Sequence, residues 1–287
     1  MTEGRWADWI GREEILTDRL DEKSARAMAA TLDRDHGHGS DGGIDTAAGA
    51  ELPFVWLWLY FLATVPGRKI ALDGHPERGG FLPPVELPRR MWAGSRCVFH
   101  DPARIGEAVE QRSRILDVAE KSGKTGDMVF VTVAHETRAE GRLVMEEQQD
   151  IVYLAMPEKF VPPPPKPLPA CDWSEPRAVD PVLLFRFSAL TFNAHRIHYD
   201  RAYAMDVEKY PGLIVHGPLQ AIMLYDAARR HAPGRKPARF DFRGVRPLFD
   251  FDEVSLNGAA RADGGVDLYV ATADGATTMQ AKMIWAD

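Results

Sequence analysis

The chain has little cysteine, no long hydrophobic run and no excess of positive charge, and each of these absences removes a class of function. Its two cysteines among 287 residues, Cys97 and Cys171, stand far apart. That leaves no disulfide framework and none of the close pairs of a structural zinc site, and it points to a reducing cytoplasm. The most apolar run, Leu52 to Leu62, is about half the ~20 residues of a membrane-spanning helix. The amino terminus, beginning Met1-Thr-Glu-Gly-Arg-Trp, has no apolar signal-peptide core, so no membrane association is expected. Net charge is −7 with both signs interspersed, which argues against nucleic acid as a partner. The glycine-rich stretch from Asp33 to Gly43 carries His36 and His38 beside Asp35. No further ligand spacing supports a metal there, and a surface loop is the simpler reading.

What is present reads as two similar halves. Asp21 can cap a helix whose apolar positions are Ala25, Met28, Ala29 and Leu32. Leu52 to Ala63 is apolar all round and ends at Pro66-Gly67; its length predicts a buried helix. Gly74 to Gly94 holds four prolines and four glycines, too many for a regular element over most of its length, and a long irregular segment of this kind is often functional. Strands follow at Cys97 to Phe99, Ala108 to Val118, Met128 to Thr137 and Leu143 to Tyr153. The turn containing Gly123-Lys124-Thr125 resembles the end of a phosphate loop but lacks its context and reads as a hairpin. The run Val161-Pro-Pro-Pro-Pro-Lys-Pro-Leu-Pro favours extended polyproline. It divides the chain into residues 1–160, a linker at 161–170, and residues 171–287. The second half begins with a strand-like Asp180 to Leu190. It continues with a helix from Gly217-Pro218 to about Arg230 and four strands, at Ala238 to Val245, Glu253 to Ala262, Val266 to Ala273 and Thr277 to Trp285. An antiparallel sheet with one apolar face needs a cover. Two units, each a helix wrapped by its own strands, would share one continuous sheet in an α+β fold.

The chemistry concentrates between Phe187 and Arg230. Asn193, His195, His198 and Asp200 fall within eight residues. About twenty residues later a helix opens at Gly217-Pro218, where free N–H groups and the positive end of the helix dipole stabilise a partly negative oxygen. Histidine titrates near neutral pH and suits proton transfer. Asn193 either orients a water or bonds its own turn. Asp200 reads as a helix cap rather than a base.

The stretch Thr191-Phe-Asn-Ala-His-Arg-Ile-His-Tyr-Asp resembles the signature of the R-specific enoyl-CoA hydratases of the MaoC-like superfamily. In that signature an aspartate precedes the histidine by five residues; Asn193 stands at the aspartate position and His198 at the histidine position. Gly217 in Val215-His-Gly-Pro resembles the backbone donor to the thioester oxygen. Asp73-Gly-His-Pro with Gly79-Gly-Phe-Leu-Pro-Pro-Val-Glu-Leu-Pro-Arg-Arg-Met-Trp-Ala-Gly is similar to a narrower group. That group contains mesaconyl-C4-CoA hydratases, itaconyl-CoA hydratases and mitochondrial hydroxyacyl-thioester dehydratases.

The resemblance implies a double hotdog fold and reversible addition of water to an α,β-unsaturated acyl-CoA. It implies catalysis by His198, Asn193 and Gly217 in the second half, the first half shaping the substrate tunnel. Arg89, Arg90, Trp92, His195, Arg196 and His216 are the substrate-binding candidates, and Arg186, Arg243 and Arg246 add to a supply of arginine suited to a second carboxylate. Coenzyme A would be part of the substrate, with no metal and no other cofactor, and the assembly a homodimer. A general enoyl-CoA or acyl-carrier-protein hydratase, a hotdog thioesterase and a non-catalytic acyl-thioester-binding subunit stay open beside this reading. Asn193, which cannot serve as a carboxylate base, is the residue that favours the last.

Overall fold

A computed structural model describes residues 4–35, 43–123 and 126–286. The His36/His38 loop and the Lys124-Thr125 hairpin tip lie outside the described residues. The first half contains β1 (Glu13–Arg19), α1 (Glu22–Thr31), β2 (Arg89–Phe99), β3 (Ala108–Gly123), β4 (Gly126–Ala139) and β5 (Arg142–Leu154). The second contains β6 (Trp173–Arg177), α2 (Pro181–Leu190), α3 (Arg201–Asp206), α4 (Gly217–His231), β7 (Pro237–Gly244), β8 (Val254–Ala260), β9 (Val266–Thr272) and β10 (Thr277–Trp285).

All ten strands join one antiparallel sheet in the order β1-β3-β4-β5-β2-β7-β10-β9-β8-β6. Outward from the β2–β7 seam, one half runs 2-5-4-3-1 and the other 7-10-9-8-6. Each strand of the first half therefore has a counterpart five numbers later, and the halves repeat one topology. This is the double hotdog arrangement. At the seam Gly94 opposes Arg243, and a Cβ on Gly94 would come 2.3 Å from the Phe242 carbonyl oxygen, so only glycine permits the approach.

The cover of the sheet differs between the halves. Helix α4 is the wrapped helix of the second half. Its Leu219, Ile222 and Leu224 are fully buried, each such side chain contributing about 1.5–3 kcal/mol by leaving water. In the first half the expected helix over Leu52 to Ala63 is instead a six-residue 3-10 helix, Phe54–Leu59. Pro53 precedes it, no side chain caps it, and its tryptophans, phenylalanine and valine lose rotamer freedom in an α-helix. The segment is nonetheless buried, as its all-round apolarity requires. A second small core, including Ile115, Val131, Val133 and Tyr153, lies under the long strands of this half.

Asp180 to Leu190 is also not a strand but helix α2. Asp180 caps it by accepting a hydrogen bond from Leu183 N, and Pro181 occupies the first turn. A continuous apolar run of this length fits either element by periodicity alone. Asp21 and Asp200 cap α1 and α3, as their sequence positions imply. The proline-rich stretch lies against the β9–β10 hairpin, with Thr277 N donating to Lys166 O and Leu168 N to Gly275 O. Among the described residues no helix is long and apolar enough to cross a membrane.

Candidate active site

A cavity of about 2100 Å³ opens where the segment before β2 meets the loops around α3 and the start of α4. His198, Asn193 and Gly217 all line it, together with His195, His216, Trp92, Arg89 and Arg90. Arg246 lines it as well; Arg186, Arg196 and Arg243 do not. Arg186 donates to the Ala30 carbonyl, and Arg196 is held by Asp200 at 2.7 Å, by the Leu72 carbonyl and over the Tyr203 ring. Arg196 thus fastens the histidine loop from outside the cavity. Proximity in sequence had placed these arginines beside the site, but their side chains leave on other faces.

His198 sits in a short 3-10 turn (Arg196–His198) and is buried. Its Nδ1 lies 2.8 Å from the Ile214 carbonyl oxygen. A carbonyl only accepts, so Nδ1 carries the proton and the lone pair is on Nε2. His216, the residue before α4, stacks on His198 with centroids 3.6 Å apart and shares a 2.8 Å hydrogen bond with Ser188 Oγ through Nε2. Burial, reinforced by His216 and His195, holds the His198 pKa well below its usual 6.5. Burial likewise pushes His216 down to about 3. The site is therefore set to hold His198 neutral, with Nε2 as a proton acceptor.

Asn193 accepts a hydrogen bond from His195 N at 3.0 Å, an Asx-type turn. Its carbonyl oxygen is thereby occupied, and the amide N–H₂ is what it can offer a bound water. Gly217 begins α4, so its N–H has no partner within the helix. A Cβ there would stand 3.6 Å from the Trp92 carbonyl oxygen, and Trp92 walls that side of the helix start. The Trp92 indole is itself fixed by Ser95 Oγ at 2.9 Å and by an edge contact with Trp58.

The segment Asp73-Gly-His docks on the histidine loop. Arg196 N donates to Asp73 O at 2.9 Å. Gly74 has φ +92° and no room for a side chain, since a Cβ would fall 1.8 Å from the Ala194 oxygen. Docking brings His75 to 4.1 Å from His195, ring centroid to centroid. His75 Nδ1 lies 3.1 Å from Asp73 Oδ2, and His195 Nε2 lies 3.3 Å from buried Glu208. Burial opposes the charge on Asp73, but the hydrogen bonds from His75 hold its pKa at about 2; burial pushes His75 to about 3. The ligating atoms of Asp73, His75 and His195 lie within 4.8 Å of one another, close enough to take a cation. Hydrogen bonds within the cluster and to Glu208 already engage them.

Arg89 is also engaged: it approaches Glu208 at 3.4 Å and donates to the Tyr210 hydroxyl. It balances the buried carboxylate that holds His195. Glu208, Ser188 and the Ile214 carbonyl carry no motif signal, because they join the site only through the fold. Asp73 and His75 belong to the Asp73-Gly-His-Pro motif, and only folding brings them onto His195.

The family model of hydroxyacyl-thioester dehydratase type 2 matches residues 55–250. The chain is 45% identical over 286 residues to the mesaconyl-C(4)-CoA hydratase of Chloroflexus aurantiacus, covering 99% of each. It is 27% identical over 219 residues to the mitochondrial hydroxyacyl-thioester dehydratase type 2 of Schizosaccharomyces pombe, covering 67% of this chain and 72% of that one. A Mycobacterium tuberculosis protein described as a double hotdog fold superposes with a TM-score of 0.59 at 13% identity, covering 98% of this chain and 97% of its own.

Proposed function

The chain belongs to the hydroxyacyl-thioester dehydratase type 2 family, and on that premise we propose that it adds water reversibly to the double bond of a short dicarboxylic enoyl-CoA. Mesaconyl-C4-CoA, the substrate in the name of the 45%-identical relative, is the first choice and itaconyl-CoA the second. The observation that carries the chemistry is the neutral His198, its Nε2 lone pair free, in one cavity with the exposed start of α4.

In this reading the water proton passes to His198 Nε2 as the oxygen bonds to the β-carbon. The electron pair of the double bond moves toward the thioester oxygen, which the Gly217 N–H holds. One such donor contributes about 3–4 kcal/mol in related oxyanion sites. The imidazolium then returns its proton to the α-carbon, so a single base serves both steps. Asn193 orients the water through its amide, which removes the need for a carboxylate at that position. Lys69, Lys159 and Arg246 on the cavity wall supply cations for the coenzyme A phosphates. A homodimer in the cytoplasm is the assembly and setting that accompany this reading.

The test is a panel of mesaconyl-C4-CoA, itaconyl-CoA and crotonyl-CoA incubated with the purified chain. Water addition to the dicarboxylic esters supports the reading. Release of free coenzyme A would make the protein a thioesterase, and crotonyl-CoA turned over as well as the others would make it a general hydratase. Inertness of the chain alone would make it a binding subunit.

A further inference from the structure

Among the described residues four arginines line the cavity, and they are engaged to different degrees. Arg78 donates to the carbonyls of Val85 and Pro88. Arg89 is engaged by Glu208 and Tyr210. Arg246 sits in the field of Asp252 and Asp274. Among the described residues Arg78, Arg90 and Arg246 all lack a carboxylate within ion-pair distance, and Arg90 is the one of the three that acts on the charge of a histidine of the site, His75. A half-buried guanidinium without an anion is costly to keep, and a cavity that keeps one is prepared for an anionic ligand.

The position of Arg90 is set by the fold. It opposes Tyr153 across the β2–β5 ladder, and the hydroxyl of this fully buried tyrosine lies within hydrogen-bonding reach of the guanidinium and helps to fix it. A register shift between Trp92 and Gly94 interrupts the ladder just beyond, and Arg89 through Ala93 all reach the cavity wall. Arg90 lies near enough to His75 to act on its charge, and His75 packs on His195, which meets His198 edge-on at 5.4 Å. Arg90 therefore stands on the histidine side of the cavity.

This placement matches one substrate feature. In mesaconyl-C4-CoA the free carboxylate is attached to the β-carbon, the atom that receives water. A group that recognises it must stand beside the groups that handle the water. We propose that Arg90 is the specificity-determining residue of this enzyme, pairing with a carboxylate on the β-carbon and so selecting branched dicarboxylic thioesters over plain enoyl-CoA esters. The pair also orients the β-carbon toward the water, so the ionic contact contributes to selection and to alignment. The inference rests on the hydratase reading above.

The experiment compares the parent, Arg90→Gln and Arg90→Lys on three substrates: mesaconyl-C4-CoA, its methyl ester at the free carboxylate, and crotonyl-CoA. The ratio of kcat/KM for the acid over crotonyl-CoA should fall about thirtyfold in Arg90→Gln, and less in Arg90→Lys, which keeps the charge without the bidentate fork. The parent should prefer the acid over its ester by a similar factor, and Arg90→Gln should lose that preference. If Arg90→Gln lowers all three substrates equally, or leaves the acid-to-ester preference intact, the inference is wrong. Failure of the parent itself to hydrate mesaconyl-C4-CoA would instead remove the hydratase reading beneath it.

Discussion

The two halves of the molecule share a strand order and differ in what the strands surround. In the second half, strands of seven to nine residues (β7 to β10) wrap a fifteen-residue helix, α4. In the first half, strands of thirteen to sixteen residues (β3 to β5) cover a six-residue 3-10 helix and a small core of their own. A long helix offers a dipole and free N–H groups at its start; a six-residue 3-10 segment offers neither in useful measure. Among the described residues the repeated topology thus supplies two cradles and one long helix start facing the cavity. What the first half contributes is wall: the Asp73-Gly-His turn docked on the histidine loop, and Arg89 to Trp92 at the head of β2. In the proposed reaction, chemistry and recognition come from opposite sides of one cavity.

The sharpest way to break this comparison is His198→Ala. Loss of a general acid–base group should lower kcat by about 10²–10⁴, while circular dichroism and the unfolding midpoint stay near the parent's. Asn193→Ala should cost less, since in the proposed reaction its amide orients the water without exchanging a proton with it. Near-normal turnover in the histidine variant would move the chemistry away from the second half.

The seam offers a second, smaller test. Gly94→Ala places a Cβ 2.3 Å from the Phe242 oxygen and 3.0 Å from the Arg243 Cα. Forcing β2 and β7 apart should cost about 1–3 kcal/mol in urea unfolding and weaken substrate binding, because both walls of the cavity hang on this ladder. Unchanged stability would show that the halves are held together elsewhere.

A further effect concerns pH, and it is shared by the two sides. His75 belongs to the first half, His198 and His216 to the second, and burial depresses all three. In the unfolded chain they take up protons near 6.5; in the folded protein His75 and His216 do so only at about 3. Between these values the unfolded state binds more protons, so stability falls as pH falls from about 6.5 toward 3 and is flat above. The thermal midpoint measured from pH 8 to 4 should show that slope, and replacing His75 with Gln should flatten part of it. For the same reason the acid limb of kcat/KM should lie below the usual histidine range. A midpoint independent of pH would mean that these rings are solvated.

Much of this was legible in the residues, for reasons that differ by element. The strands β3 to β5 and β7 to β10 announce themselves by alternation and turns, and α4 by Gly217-Pro218 at one end and Arg229, Arg230 and His231 at the other. Leu52 to Ala63 and Asp180 to Leu190 misled, one toward helix and one toward strand, because an unbroken apolar run shows burial but hides its period. Strand β1 went unseen beneath its charged residues. The group His198, Asn193 and Gly217 could be named since two of its members lie in one local motif. Glu208, Ser188 and the Ile214 carbonyl could not, since each meets its histidine through folding alone. The arginines show the limit most clearly. Six looked equivalent in the chain, and the structure commits Arg89 internally, turns Arg186, Arg196 and Arg243 away, and keeps Arg90 and Arg246 on the wall.

The ends of the ten-stranded sheet have a consequence for the life of the protein in a crowded solution. An open sheet this wide is a template for its own growth, since an unpaired edge will accept any passing strand. Here β1 lines one edge with Glu13, Glu14, Asp18 and Arg19, and β6 at the other is five residues long and carries Pro176, which has no N–H to donate. Charge at one end and a short, proline-bearing strand at the other both disfavour lengthening of the ladder beyond its ten strands.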